Sequence, residues 1–299
     1  MAHTSFLSTS RGLDRTSAPM VLFEKAKRFG IWNPSEIDLT QDRRDWQRLN
    51  DAQRDMLLRV TSMFVAGEEA VTQDLLPLIQ AVSAEGRIEE EIYLTSFLWE
   101  EAKHVDWFNR FLSEVCECNP DLSHYHGPNY RVIIYEALPE ALEALRSDPS
   151  PQALARASVV YNMVVEGVLA ETGYHGYFTI MDRVGIFPGA RQGIAKLKQD
   201  ESRHIAYGVY LLSRLLTEEP QVWETIEETM NSLLTPALGV VEDIFAAYEE
   251  VPFPIDKLDF LDYALAQFQK RLDRIQRART QNREEVNRVT LEVIEAEDA

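Results

Sequence analysis

Cysteine is nearly missing from this chain, with only Cys116 and Cys118 in 299 residues. Two thiols so close together cannot build a disulfide framework, which points to a reducing compartment. Basic side chains are also scarce, 30 against 49 acidic, for a net charge of −19. Such a surface repels phosphate backbones and anionic headgroups, which argues against nucleic-acid or polybasic membrane binding. No uncharged apolar run reaches the roughly 18 residues that a membrane span needs. The opening residues 1–20 lack the apolar core of a signal peptide. The expectation is a soluble, cytoplasmic protein. Hairpin signals are missing as well, so β structure should be close to nil.

What the sequence does have is helical periodicity. Residues 1–19 are Ser/Thr-rich and read as an extended arm, followed by a short helix over 21–28 and an extended entry at Pro34. Asp51 is the expected cap of a long helix that carries Leu57, Val60, Phe64, Val71, Leu75 and Leu78 at three- and four-residue spacing and ends at Gly86. Further helices are expected over about 87–115, 130–146, 152–183, 190–216, 221–249 and 255–279, with a charged, loosely held tail beyond. The long helices pair through short turns as two αα-hairpins, the layout of a helical bundle with one longer crossover. The fold class is all-α, a single domain over 1–299.

Two stretches stand out against this pattern. Glu101-Ala102-Lys103-His104 and Glu201-Ser202-Arg203-His204 each place a carboxylate and an imidazole one helical turn apart. Each follows a lone Glu in an apolar run, Glu68 and Glu166, at gaps of 33 and 35 residues, the length of a helix-turn-helix excursion. A single Glu-x-x-His in so acidic a chain is no more than a surface pair. Here, however, all six residues share the stripes that should face the bundle interior, where unpaired Glu is almost never found. Four converging carboxylates must be neutralised. Two divalent cations would balance them, with both histidines neutral. A Glu from each of two helices and a Glu-x-x-His from each of the other two is the ligand set of ferritin-like dinuclear carboxylate sites. Carboxylate and imidazole suit iron or manganese.

At these residues the sequence resembles the ferritin-like family that contains the small subunit of class I ribonucleotide reductase. More closely it resembles the ligand-binding oxidases similar to that subunit. The resemblance is carried by Ile31-Trp32-Asn33-Pro34-Ser35-Glu36-Ile37-Asp38, Ala66-Gly67-Glu68-Glu69-Ala70-Val71-Thr72, Glu101-Ala102-Lys103-His104, Tyr161-Asn162-Met163-Val164-Val165-Glu166-Gly167 and Asp200-Glu201-Ser202-Arg203-His204, within about residues 20–250. It implies a first metal site of Glu68, Glu101 and His104 and a second of Glu166, Glu201 and His204, bridged by Glu101. It implies one manganese and one iron, with two irons an alternative. It also implies dioxygen activation, a bound long-chain fatty acid, an unidentified electron donor and a homodimer. An ether cross-link between Val71 Cβ and the Tyr161 oxygen is implied too. Tyr161 is five residues from Glu166 and off its face by 3.6-residue counting, so a neighbouring helix would have to bring Val71 to it. Asp200 is implied to orient a metal-binding histidine, Trp32 to lie on an electron-transfer route, and Tyr174 to line the pocket.

Two other functions remain open. A reductase small subunit would supply a radical to a catalytic partner. However, Phe108 stands four after His104, where many such subunits carry a radical tyrosine, and no tyrosine follows Tyr263. Ferritin-type iron handling predicts a shorter chain without the helices after 220.

Overall fold

The computed structural model describes residues 5–117 and 121–296, and among these there is no β-strand. Cys116 is buried; Cys118 lies outside the described residues. Four long helices form the centre: Asp51–Ala84, Ile88–Glu114, Pro151–Val184 and Pro188–Glu218. We call them the first to fourth bundle helices. Ala18–Phe29 packs on the second and fourth. Val222–Ala246 and Lys257–Ala278 cover the third. The third helix is long and apolar enough to cross a membrane by composition, but 78% of its apolar window is buried inside the protein.

The local start signals differ in instructive ways from the expectation. The first bundle helix is capped by Asn50, not Asp51. Asn50 Oδ1 accepts from Gln53 N at 2.9 Å and Gln53 Oε1 accepts from Asn50 N at 3.1 Å. This reciprocal box satisfies two otherwise orphaned N–H groups. The fourth helix takes its cap from elsewhere in the chain. Asp42 accepts from the backbone of Gly189 and Ala190, and Asp45 accepts from Phe187 N. Both aspartates belong to Thr40–Arg48, a short helix with no counterpart in the sequence reading. Their grip holds Phe187 at φ 59°, a left-handed conformation that a bulky residue adopts only under such constraint. Gly189 leaves the room: a Cβ there would lie 2.3 Å from the Asp38 carbonyl.

Within the described residues, both terminal segments are better held than expected. The 1–19 segment is not simply an extended arm. It contains a helical turn at Leu7–Ser10, and Arg11 makes a forked ion pair with Glu89 at 2.7 and 3.0 Å. The first long element begins at Ala18 rather than 21. The charged tail is not loose over 283–296. Arg283–Ala296 is a helix that buries Val286, Thr290 and Ile294 against Ala18–Phe29 and the fourth bundle helix. Asn287 also accepts from Ala18 N at 2.7 Å. The apolar stripe of this helix, spaced by four, is diluted by charged neighbours on its outer faces, which is why composition misread it.

A further departure concerns the third bundle helix. Over Val159–Ala170 it is wound as a π-helix. Its i→i+5 hydrogen bonding brings residues five apart onto nearly one face. Tyr161 and Glu166 are therefore neighbours on the interior side, which 3.6-residue counting does not allow.

Candidate metal centre

The six residues singled out by their spacing converge in the bundle interior. Glu68 is 5% exposed, Glu166 3%, Glu201 2%, and Glu101, His104 and His204 are fully buried. They fall into two overlapping groups, Glu68–Glu101–His104–Glu201 and Glu101–Glu166–Glu201–His204. Within each group one ligand atom per residue lies within 4.8 Å of the others. Glu101 Oε2 is 3.5 Å from His104 Nδ1, and its Oε1 is 3.2 Å from His204 Nδ1. Glu201 spans the same pair at 3.3 and 3.4 Å. Both carboxylates therefore lie between the two halves, whereas the resemblance implied only Glu101 as a bridge.

Each imidazole is oriented through its outer nitrogen. His104 Nε2 lies 3.3 Å from Asp200 Oδ2, and His204 Nε2 lies 2.9 Å from Glu100 Oε2. The arrangement is reciprocal: the acid preceding each Glu-x-x-His fixes the histidine of the other. Such partners set the tautomer and turn Nδ1 inward. Arg203 donates to both Glu100, at 2.6 Å, and Asp200. Lys103 lies 2.8 Å from Asp200, between the Trp32 and Trp99 rings. Trp32 donates to Asp200 at 2.8 Å, so a Trp32–Asp200–His104 chain exists. Asn162 donates to Glu166 at 2.9 Å and accepts from Ser158 at 2.9 Å. Tyr161 donates to Glu101 at 2.9 Å, and Tyr174 reaches Glu68 and Glu201 at 3.5 Å. Sequence reading missed Glu100, Lys103, Arg203 and Asn162. The repeat of an acid before each Glu-x-x-His (Glu100, Asp200) was the available signal for the first.

This donor set fits two divalent cations. The outer acids Glu100 and Asp200 are balanced by Arg203 and Lys103, leaving the four inner carboxylates without a cation. Among the described residues, His104 Nδ1, His204 Nδ1, Glu101 Oε2, Glu166 Oε1 and Glu201 Oε2 are buried with no hydrogen-bond partner. Orphaned buried acceptors converging from four helices are what a metal pair satisfies.

Without metal, protons must carry that positive charge. Burial pushes Glu68 up to about 8 and Glu166 well above the carboxylate range. Burial also opposes charge on the imidazoles, but Glu68 and Glu101 overcome it and hold His104 and His204 well above their ordinary value. Burial opposes the Glu101 charge too, yet the same imidazoles hold its carboxyl below the usual range. Protons shared among these carboxylates and imidazoles therefore have to leave when metal enters. Loading with Mn(II) or Fe(II) in weak buffer should release protons, read with an indicator dye, and affinity should rise with pH. Release of none would rule out this ligand set.

The four glutamates line an apolar cavity whose wall also includes Leu57, Phe64, Gly67, Val71, Ile255 and Phe260. Glycines 173 and 176 keep its wall thin: a Cβ on Gly173 would meet the Phe64 ring at 2.5 Å. Phe108 stacks on Phe64 with ring centroids 4.9 Å apart.

Comparison with known proteins agrees with this centre. Residues 23–291 match the family model described as ribonucleotide reductase, small chain. Solved structures of an R2-like ligand-binding oxidase are similar throughout. A valine-to-alanine variant with anaerobically reconstituted Mn/Fe cofactor has TM-score 0.87 and 39% identity, covering 91% of this chain and 98% of that one. A glycine-to-leucine variant, also with anaerobically reconstituted Mn/Fe cofactor, has TM-score 0.88 and 39% identity, covering 92% and 98%. A valine-to-isoleucine variant, aerobically reconstituted with Mn/Fe, has TM-score 0.88 and 38% identity, covering 91% and 99%. With nearly its whole length matched and a ferritin-like dinuclear ligand set assembled in its core, the chain belongs to the ribonucleotide reductase small chain family.

Proposed function

We propose that this chain is a dioxygen-dependent oxidase with one manganese and one iron, which removes two electrons and two hydrogens from a C–H-bearing substrate. The observation that carries the reading is the apolar cavity that opens directly onto four metal-ligating carboxylates. Glu68, Glu101 and His104 hold the first ion, taken as manganese, and Glu166, Glu201 and His204 the second, taken as iron. When bound, the pair supplies the redox chemistry with dioxygen. The protein's own groups position, dry and protonate. Its compartment is taken as the cytoplasm and its assembly as a homodimer.

The first substrate is the protein itself. Val71 lines the cavity beside Glu68, one turn along the same helix. Tyr161 is fixed by its hydrogen bond to Glu101, and burial pushes its phenol well above the ordinary value. The phenol therefore stays protonated until oxidation. The Val71 Cβ–H and Tyr161 O–H bonds break, a Cβ–O bond forms, and both hydrogens with their electrons pass to dioxygen. The external ligand is a long-chain fatty acid or a similar hydrophobe. Among the described residues no lysine, arginine or histidine lines the cavity. The walls therefore favour an acyl chain, and a carboxylate head is drawn to the metal-binding end.

A reductase small subunit remains the second reading, because Trp32, Asp200 and His104 form an unbroken hydrogen-bonded chain to the first site. Phe108, four residues after His104, disfavours it. Ferritin-type storage is disfavoured by the three helices beyond 220 that pack on the bundle and its flanking helices.

The test is intact-mass and peptide analysis after aerobic loading with manganese and iron, with lipid extracted from the same sample. The expected result is one joined peptide pair containing Val71 and Tyr161, two hydrogens lighter than their sum, and a co-purified hydrophobe. A mass change that survives Tyr161→Phe overturns the cross-link. Growth of a ribonucleotide-reductase-deficient strain on this chain overturns the choice of function.

A further inference from the structure

Beyond the second metal site, the facing stripes of the second and fourth bundle helices continue as aromatic side chains. Phe97 stacks on His204 with centroids 3.6 Å apart and lies 5.7 Å from Tyr161. Tyr207 follows His204 by one turn, 6.5 Å from Phe97, and Tyr210 follows by another, 6.4 Å from Tyr207. Tyr93 packs between, 5.2 Å from Tyr207. The line leads from a metal-ligating imidazole to Tyr210, which has 8% of its area exposed.

Buried tyrosines in a bundle are ordinarily packing residues. Here their hydroxyls are treated unequally. Among the described residues the Tyr93 hydroxyl is buried without a partner. Tyr207 donates at 3.1 Å to Glu90 Oε2, a carboxylate only 3% exposed. Oxidation of a phenol makes it strongly acidic, so the electron leaves readily only where a base takes the proton. Tyr207 has that base and Tyr93 has none. Glu90 is held near Arg214, at 3.2 Å, and Arg87, at 3.9 Å. Those arginines reach on to Glu85 and Glu218 at the protein's edge. Burial already pushes the Glu90 carboxyl up, which makes it a readier proton acceptor.

We propose that Tyr207, with Glu90 as its proton acceptor, is a one-electron relay that carries oxidising equivalents from the metal-binding end of the bundle toward Tyr210, the more exposed end of the line. The relay rests on the oxidase reading, which supplies the oxidant. Tyr207 gives one electron to the oxidised centre and its phenolic proton to Glu90, becoming a neutral tyrosyl radical. Tyr210 then returns an electron to Tyr207 and releases its own proton to water, while Glu90 hands the stored proton back. The route serves when Tyr161 or the cavity ligand is not there to be oxidised.

The test uses the full chain carrying Tyr161→Phe, loaded anaerobically with manganese and iron, mixed with dioxygen and freeze-quenched. Electron paramagnetic resonance should show a radical whose splitting collapses with ring-deuterated tyrosine. Adding Tyr207→Phe should abolish it, and adding Tyr93→Phe should leave it unchanged. Glu90→Gln keeps an oxygen for the hydrogen bond but cannot take the proton, and should also abolish it. Persistence of the signal with Tyr207→Phe, or no tyrosyl signal while the metals' own resonances show oxidation, overturns the relay. If the metals stay reduced, the oxidase reading fails instead, and the relay is judged on the metal-free chain. A ruthenium photo-oxidant must then give a tyrosyl signal that weakens in both Tyr207→Phe and Glu90→Gln, and equality with the unaltered chain in both overturns it.

Discussion

Glu101→Ala should reduce bound metal from two ions per chain to less than one, whereas Glu68→Ala should retain about one. The contrast follows from placement: Glu101 sits within ligand distance of both imidazoles, and Glu68 belongs only to the group around His104. Removing the shared carboxylate strips a ligand from each ion at once. Thermal stability provides an independent reading. An ion that binds only the folded state adds roughly 2.7 kcal/mol at a hundredfold excess over its Kd. Two ions should therefore raise the melting temperature of the unaltered chain by roughly 10 °C. Glu101→Ala should lose nearly all of that rise and Glu68→Ala about half. Two tightly held ions in the Glu101→Ala chain, measured by elemental analysis after desalting, would sink the shared-ligand assignment.

Asp200→Ala should be the most damaging change outside the ligands. Four groups converge on this carboxylate: the His104 ring, the Trp32 indole, Lys103 and Arg203. Its loss leaves Lys103 buried without its acid and Arg203 with Glu100 alone, and frees the His104 ring to turn. Breaking a buried ion pair on one side costs about 3–5 kcal/mol. Loss of a histidine's orienting partner lowers metal affinity about 10–100-fold. The two effects are separable. Asp200→Ala with Lys103→Met should recover much of the stability by removing one stranded charge, while affinity in chelator competition stays low. Recovery of both together would show that Asp200 acts only through packing. The pH dependence has a definite sign. Burial opposes the Asp200 charge, but His104, Arg203 and Lys103 outweigh it and hold the carboxyl below the usual range. Its contribution is therefore complete at neutral pH. It is lost as pH falls below the ordinary aspartate range, and the Asp200→Ala chain should lack that part of the acid dependence.

The helices were legible because each long one must bury a stripe, and a 3.6-residue stripe is written directly into the order of apolar residues. The ligands were legible for a related reason. Glu68, Glu101, Glu166 and Glu201 break those stripes with the residue type that interiors tolerate least, and they do so twice at matched intervals. Glu100 was hidden by its neighbour. Once Glu101 is assigned to the metals, the preceding acid reads as an outward-facing side chain, yet it reaches across to His204 on another helix. Asp42 and Asp45 were hidden because they cap a helix that begins far from them in sequence, and no local pattern records that pairing.

By itself the sequence determined an all-helical bundle, the six acid and histidine positions that converge in its interior and the need for positive charge among them. Spacing on a helix is local, and the cost of burying carboxylate does not depend on what surrounds it in detail. Only the tertiary structure decided three things: which acid orients which histidine, that Glu201 as well as Glu101 lies between the two imidazoles, and that Tyr161 faces the site. The first two depend on contacts between helices distant in the chain. The third depends on the π-wound turn of the third bundle helix, whose i→i+5 hydrogen bonding places a residue five positions from Glu166 on the metal-facing side.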